Sequence, residues 1–104
     1  DADTFSKKIY DVIGSGVGII ESVPAAISIA YYTQDPNECC LMCANLGGDT
    51  DTIGAMATAI CGAFTGYSKI NPEYTELLRV QNSETDFDEY INILKGRELA
   101  GGVR

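Results

Sequence analysis

The residues best equipped for chemistry lie in one run, Gly47-Gly48-Asp49-Thr50-Asp51-Thr52-Ile53. Two carboxylates and two hydroxyls follow paired glycines at the point where a helical pattern begins. Asp49 falls near the N-cap, while Asp51 and Thr52 fall in the first turn, so all three side chains can gather round one point off the helix end. One Asp there would be ordinary capping, because the first N–H groups lack partners and the dipole end is positive. Two Asp with flanking Thr exceed what capping needs. They are hard oxygen ligands of the kind Mg²⁺, Mn²⁺ or Ca²⁺ prefers. The helix dipole opposes a cation at this end, so the carboxylates must hold it, and further acidic ligands are expected from elsewhere. These residues by themselves leave capping and metal binding both open. An EF-hand is a poor fit, because the glutamate that closes its loop is missing when counting from Asp49.

A second run, Gly14-Ser15-Gly16-Val17-Gly18, is flexible and lets backbone approach another group closely. The four cysteines (Cys39, Cys40, Cys43 and Cys61) have no His beside them anywhere in the chain and form no paired C-x-x-C knuckles. A structural zinc site is therefore not expected, and the reading is small buried thiols in a reducing cytoplasm. The net charge of −8 repels phosphate backbones and anionic lipid, which argues against nucleic acid and membrane as partners. It suits cations, or simply solubility.

The elements that must position these residues read as helices throughout, giving an all-α class with about five helical segments. In a chain of 104 residues the core is modest. The first segment covers 5–13 and stops at Gly14. Ser22 reads as an N-cap, with Pro24 tolerated in the first turn of an almost wholly apolar helix to Thr33. Asp35-Pro36-Asn37-Glu38 is a strong start signal, with Asp35 as cap and Pro36 in the first helical position. That helix should run to Leu46 and end on Gly47 or Gly48. Further helices cover 50–64 and 72–80. The last, capped by Ser83 with Asp86, reaches Leu94 and ends at Gly96, leaving a loose tail over 97–104.

Along 54–66, Gly54, Thr58, Gly62 and Gly66 recur every four residues beside Ala55, Ala59 and Ala63. Such a stripe lets another helix pack with its backbone very close, fixing the helix that carries Asp49, Asp51 and Thr52. No apolar run reaches the roughly 20 residues needed to cross a bilayer. Asp1-Ala2-Asp3-Thr4 has neither the basic nor the apolar region of a secretory signal, so a cytoplasmic location is expected. The missing initial Met suits a processed or truncated chain.

Gly47-Gly48-Asp49-Thr50-Asp51-Thr52-Ile53, followed by Ala59, Gly62, Ala63 and Gly66, resembles the C-terminal signature of the ADP-ribosylglycohydrolase family. Glu21-Ser22-Val23-Pro24-Ala25-Ala26 is similar to the family's E-x-x-P-x-A segment, and Ile70-Asn71-Pro72 to the turn after its signature helix. The resemblance covers 5–80 and does not place 81–104. It implies an all-α bundle holding two adjacent divalent ions, Mg²⁺ or Mn²⁺. It makes Asp49, Asp51 and Thr52 metal ligands, with Asp51 touching both ions, and sets Gly16 and Val17 along the ADP-ribose pocket. The implied reaction is hydrolysis of the N- or O-glycosidic bond between the ribose anomeric carbon and a protein side chain or small leaving group.

The family's G-D-x-x-G and T-D-D-T segments do not occur here. The resemblance therefore implies a C-terminal part, with the remaining ligands and the general acid and base outside this chain. They would come from the missing N-terminal part or from another copy. Two alternatives stay beside a hydrolase: a metal- or ADP-ribose-binding module without turnover, and a purely structural helical piece.

Overall fold

Side chains of Asp1, Asp35 and Asp86 cap three of the helix starts. Asp1 accepts a hydrogen bond from the Thr4 N–H at 2.8 Å and starts α1, Ala2–Lys8. A π-helical turn, Ile9–Ile13, continues it until Gly14 turns the chain away at φ 93°. Helix α2 is Ile19–Thr33, α3 Pro36–Ala44 and α4 Thr50–Thr65; a short 3₁₀ turn, Tyr67–Lys69, precedes α5, Pro72–Gln81, and α6, Phe87–Gly101. This computed structural model describes the backbone of residues 1–101 and the side chains of residues 1–96. The all-α class holds, with six α-helices and no strand among the described residues. None of these helices is long and apolar enough to cross a membrane.

Several boundaries differ from the sequence reading. Ser22 is not a cap. Helix α2 starts earlier, on Gly18, and places Ser22 inside with Ala25, Ala26, Ile29 and Ala30 on one buried face. That periodicity faces the core, and burying it extends the helix N-terminally past the polar residue. Pro24 then lies in the second turn rather than the first, where its missing N–H forfeits one ladder bond. Helix α3 stops at Ala44, short of Leu46, because the Asn45 amide reaches back to the Leu41 carbonyl at 2.8 Å. Helix α6 runs through Gly96 to Gly101; a single glycine inside a helix costs only about 1 kcal/mol relative to alanine. Its start belongs to Asp86, whose carboxylate accepts the Glu89 N–H at 3.0 Å, while Ser83 stays outside. Of the expected loose tail, 97–101 is helical, and the rest lies outside the described residues.

The chain divides into two compact units, Asp1–Asn71 and Pro72–Arg104. In the first, α2, α3 and α4 enclose the core. The faces that meet are Ala25, Ala26 and Ile29 of α2, Cys39 and Cys43 of α3, and Ile53, Ala57 and Cys61 of α4. Small side chains dominate all three, so the helices pack closely round little volume. Phe5 stacks on Tyr32 with ring centroids 4.0 Å apart and ties α1 to the end of α2. Asn37 donates to the Lys69 carbonyl at 2.8 Å and accepts from the Asn71 N–H at 2.7 Å, pinning the 3₁₀ turn to the start of α3.

The small-residue stripe on α4 is only partly used. A Cβ on Gly54 would sit 3.3 Å from the Cys43 Cβ, so α3 and α4 do approach closely there. Gly62 and Gly66 face open space, and the buried stripe is instead Ile53, Ala57 and Cys61. The second unit holds α5 and α6, joined by a two-pronged ion pair from Arg79 to Asp88 at 3.0 and 3.2 Å. No residue of α5 is buried.

Candidate functional site

The N-terminus of α4 is shaped by Gly47 and Gly48, both with positive φ (89° and 79°). Side chains are strained in that region, and Gly48 has a second constraint. A Cβ on it would run into the backbone carbonyl and hydroxyl of Ser15. Ser15, in the middle of the glycine-rich loop, is only 3% exposed. Its Oγ donates to the Gly47 carbonyl at 2.8 Å, and its own carbonyl accepts the Asp49 N–H at 2.6 Å. Two segments far apart in sequence are thus clamped together by one serine. The sequence reading had the loop and the turn but not the bond between them.

Asp49 occupies the N-cap position with φ −83° and ψ 64°, and its side chain makes no capping bond. The carboxylate is left for other work. Asp51, in the first turn, lies within hydrogen-bonding reach of Asp49. That contact, followed by the N–H groups of Thr52 and of Asp51 itself, holds the Asp51 carboxyl below its ordinary range. The Thr52 N–H donates to Asp51 Oδ1 at 2.9 Å, and the residue is exposed. At this helix start Asp51 and Thr52 are exposed and Asp49 is half-buried. Two carboxylates at one helix start supply hard oxygens of the kind a divalent cation takes.

Gly16 and Val17 sit differently. Gly16 lies under the Glu21 carboxylate, with Oε2 3.1 Å from where a Cβ would be. Glu21 also covers Gly14, so this side chain roofs the loop from the first turn of α2. Val17 is exposed to solvent. The loop reaches the α4 turn through Ser15. Residues able to complete a metal shell are not present here: among the described residues no three His, Cys, Asp or Glu side chains converge. The donor set fits part of a shell for a hard cation, which takes six or more oxygens.

Two of the thiols adjoin this turn: Cys40 and Cys43 line one cleft with Thr50 and Asp51. Cys39, Cys43 and Cys61 are buried and unpaired, as expected, whereas Cys40 is exposed. The hydrogen bond between Cys39 and Cys43, with burial, pushes the Cys39 thiol up; the same bond draws Cys43 down against the opposing effect of burial. Cys61 contacts Thr33 Oγ1 at 3.5 Å and the Ala30 carbonyl at 3.6 Å. They are core contacts.

A helical unit whose glycine loop is clamped to a Gly-Gly-Asp-Thr-Asp-Thr helix start defines a narrow class of protein. Residues 1–101 match the ADP-ribosylglycohydrolase family, and the chain belongs to it. The match extends beyond residue 80, where the motif resemblance stopped. The uncharacterized protein YegU of Escherichia coli (strain K12) is 50% identical over 93 residues, covering 88% of this chain and 28% of that protein. ADP-ribosylhydrolase ARH3 of Xenopus tropicalis is 32% identical over 108 residues, covering 93% of this chain and 31% of that protein. ADP-ribosylarginine hydrolase Tri1 of Serratia proteamaculans (strain 568) is 30% identical over 91 residues, covering 88% and 25%. The chain thus spans between a quarter and a third of the length of these relatives. No solved structure matches it.

Proposed function

We propose that this chain is the C-terminal part of an ADP-ribosyl hydrolase domain and supplies one wall of its metal and substrate site. Asp49, Asp51 and Thr52 hold divalent cations, Mg²⁺ or Mn²⁺, with Asp51 shared between two. Gly16 and Val17 lie along the bound ADP-ribose. The substrate class is an ADP-ribosylated protein or a small ADP-ribose derivative, and the bond cleaved is the glycosidic bond at the ribose anomeric carbon. One observation carries the reading: the carboxylate at the cap position of α4 makes no capping bond, and a second carboxylate follows it in the first turn.

The roles follow from donor chemistry. Asp49 and Asp51 provide charged hard oxygens, and Thr52 adds a neutral one from the same turn. When bound, cations of this type orient hydroxyl oxygens and stabilise charge that develops on them. Ser15 fixes the distance between the loop and the acidic turn, so a substrate lying on the loop meets that turn in one register. The general acid and base come from outside the chain.

The test is calorimetric titration of Mg²⁺ and Mn²⁺ into the chain, with Asp49→Asn and Asp51→Asn alongside. At least tenfold weaker binding in each variant is expected. Equal binding in wild type and both variants would remove the metal reading. A second reading, metal or ADP-ribose binding without turnover, is favoured by the absence of a third acidic ligand among the described residues. It predicts ADP-ribose affinity but no hydrolysis once the rest of the domain is supplied.

A further inference from the structure

Helix α2 has apolar residues on both sides. One side forms the core, while Ile27 and Tyr31, one turn apart, project from the other. On α4, Ile60 and Phe64 are spaced in the same way and are likewise exposed. These four residues edge a groove of about 300 Å³ whose buried residues are Ala30 and Cys61, with Gln34 also lining it. Tyr31 is 79% exposed and Phe64 71%, so neither rests on the core beneath. No charged side chain lines the groove. It therefore has nothing to hold the diphosphate of a nucleotide, and its chemistry suits apolar side chains presented at helical spacing.

We propose that this groove is the docking surface for a helix from the part of the ADP-ribosylglycohydrolase domain that lies outside this chain. Relatives matched along nearly all of this chain are covered over only 28% and 31% of their own length, so more than two thirds of each lies beyond the match. A helix of that remainder lays an apolar stripe between Tyr31 and Phe64, with one side chain entering over Ala30 and Cys61. A second copy of the chain is a poorer occupant, because each copy brings a net charge of −8 and the two repel. The inference rests on family membership and partial coverage, and it stands or falls apart from the metal reading.

The test is co-expression of the tagged full chain with the part of the 50%-identical Escherichia coli relative that lies outside the matched stretch. Wild type is expected to retain that polypeptide through purification as a one-to-one complex. Tyr31→Asp combined with Phe64→Asp should retain at least tenfold less while keeping the wild-type helical circular dichroism. Leu77→Asp, on the exposed surface of α5, should retain the wild-type amount. Three results would overturn the inference: no complex with wild type, a complex indifferent to the double substitution, or a homodimer of the chain alone that the double substitution dissolves. Loss of metal binding in Asp49→Asn with the complex intact would leave this inference standing and test the other.

Discussion

The carbonyl of Ser15 accepts the backbone N–H of Asp49 at 2.6 Å, and the hydroxyl of the same serine donates to the residue two before it, Gly47, at 2.8 Å. A buried side chain thereby holds a glycine loop against the turn that opens α4. Ser15→Ala removes one of these two bonds and leaves the Gly47 carbonyl without that donor. A loss of about 1–2 kcal/mol in urea-unfolding stability is expected. A change indistinguishable from zero would mean that the clamp is not an energetic one.

The same contact makes Gly48 irreplaceable in a way Gly66 is not. Both have positive φ, near 79° and 88°, but a Cβ on Gly48 meets Ser15 while one on Gly66 meets nothing. Gly66→Ala should cost only backbone strain, about 1 kcal/mol. Gly48→Ala should cost clearly more and displace the loop, seen as shifted amide signals at Gly16 and Gly18. Equal costs would show that strain alone governs both positions.

Helix α3 depends on Asp35, which accepts from the N–H groups of Asn37 at 2.7 Å and Glu38 at 3.3 Å. Asp35→Ala is expected to lower stability by about 1 kcal/mol, and Asp35→Ser to restore most of it. Ile53→Ala, at a fully buried position of α4, should cost more, about 2–5 kcal/mol. A reversed order of the two would contradict the core described here.

The pair between Arg79 and Asp88 gives the second unit an acid limit. Hydrogen bonding and charge from Arg79 hold the Asp88 carboxyl below its ordinary 3.8. A group whose pKa is depressed on folding contributes stability above its unfolded value and loses it as pH falls through the folded one. The helical signal of α5 and α6 should therefore weaken on acidification below about 3.8, and Asp88→Asn should flatten that part of the profile. An identical profile in the variant would assign the acid loss to other carboxylates. The effect is small, because both partners are solvated and salt screens them.

Much of the fold was legible from local signals. Gly14, Asp35-Pro36 and Pro72 mark helix ends, because a cap, a glycine turn or a ring constraint acts within one turn and needs no distant partner. The Gly-Gly-Asp-Thr-Asp-Thr run was enough to identify the family, since so specific an order of glycine, acid and hydroxyl is rarely needed for capping alone. The tertiary structure decided the rest. Ser22 has the chemistry of a cap but lies on the buried face of α2, and burial of that face set the helix start. The stripe of small residues on α4 contained the close approach at Gly54, but which other positions met a neighbour depended on where α2 and α3 settled. Ser15 looked like one more flexible loop residue, and only the packed chain set it beside Gly47 and Asp49. Sequence patterns report forces that act within a turn or two; a hydrogen bond between distant segments exists only once the helices between them have packed.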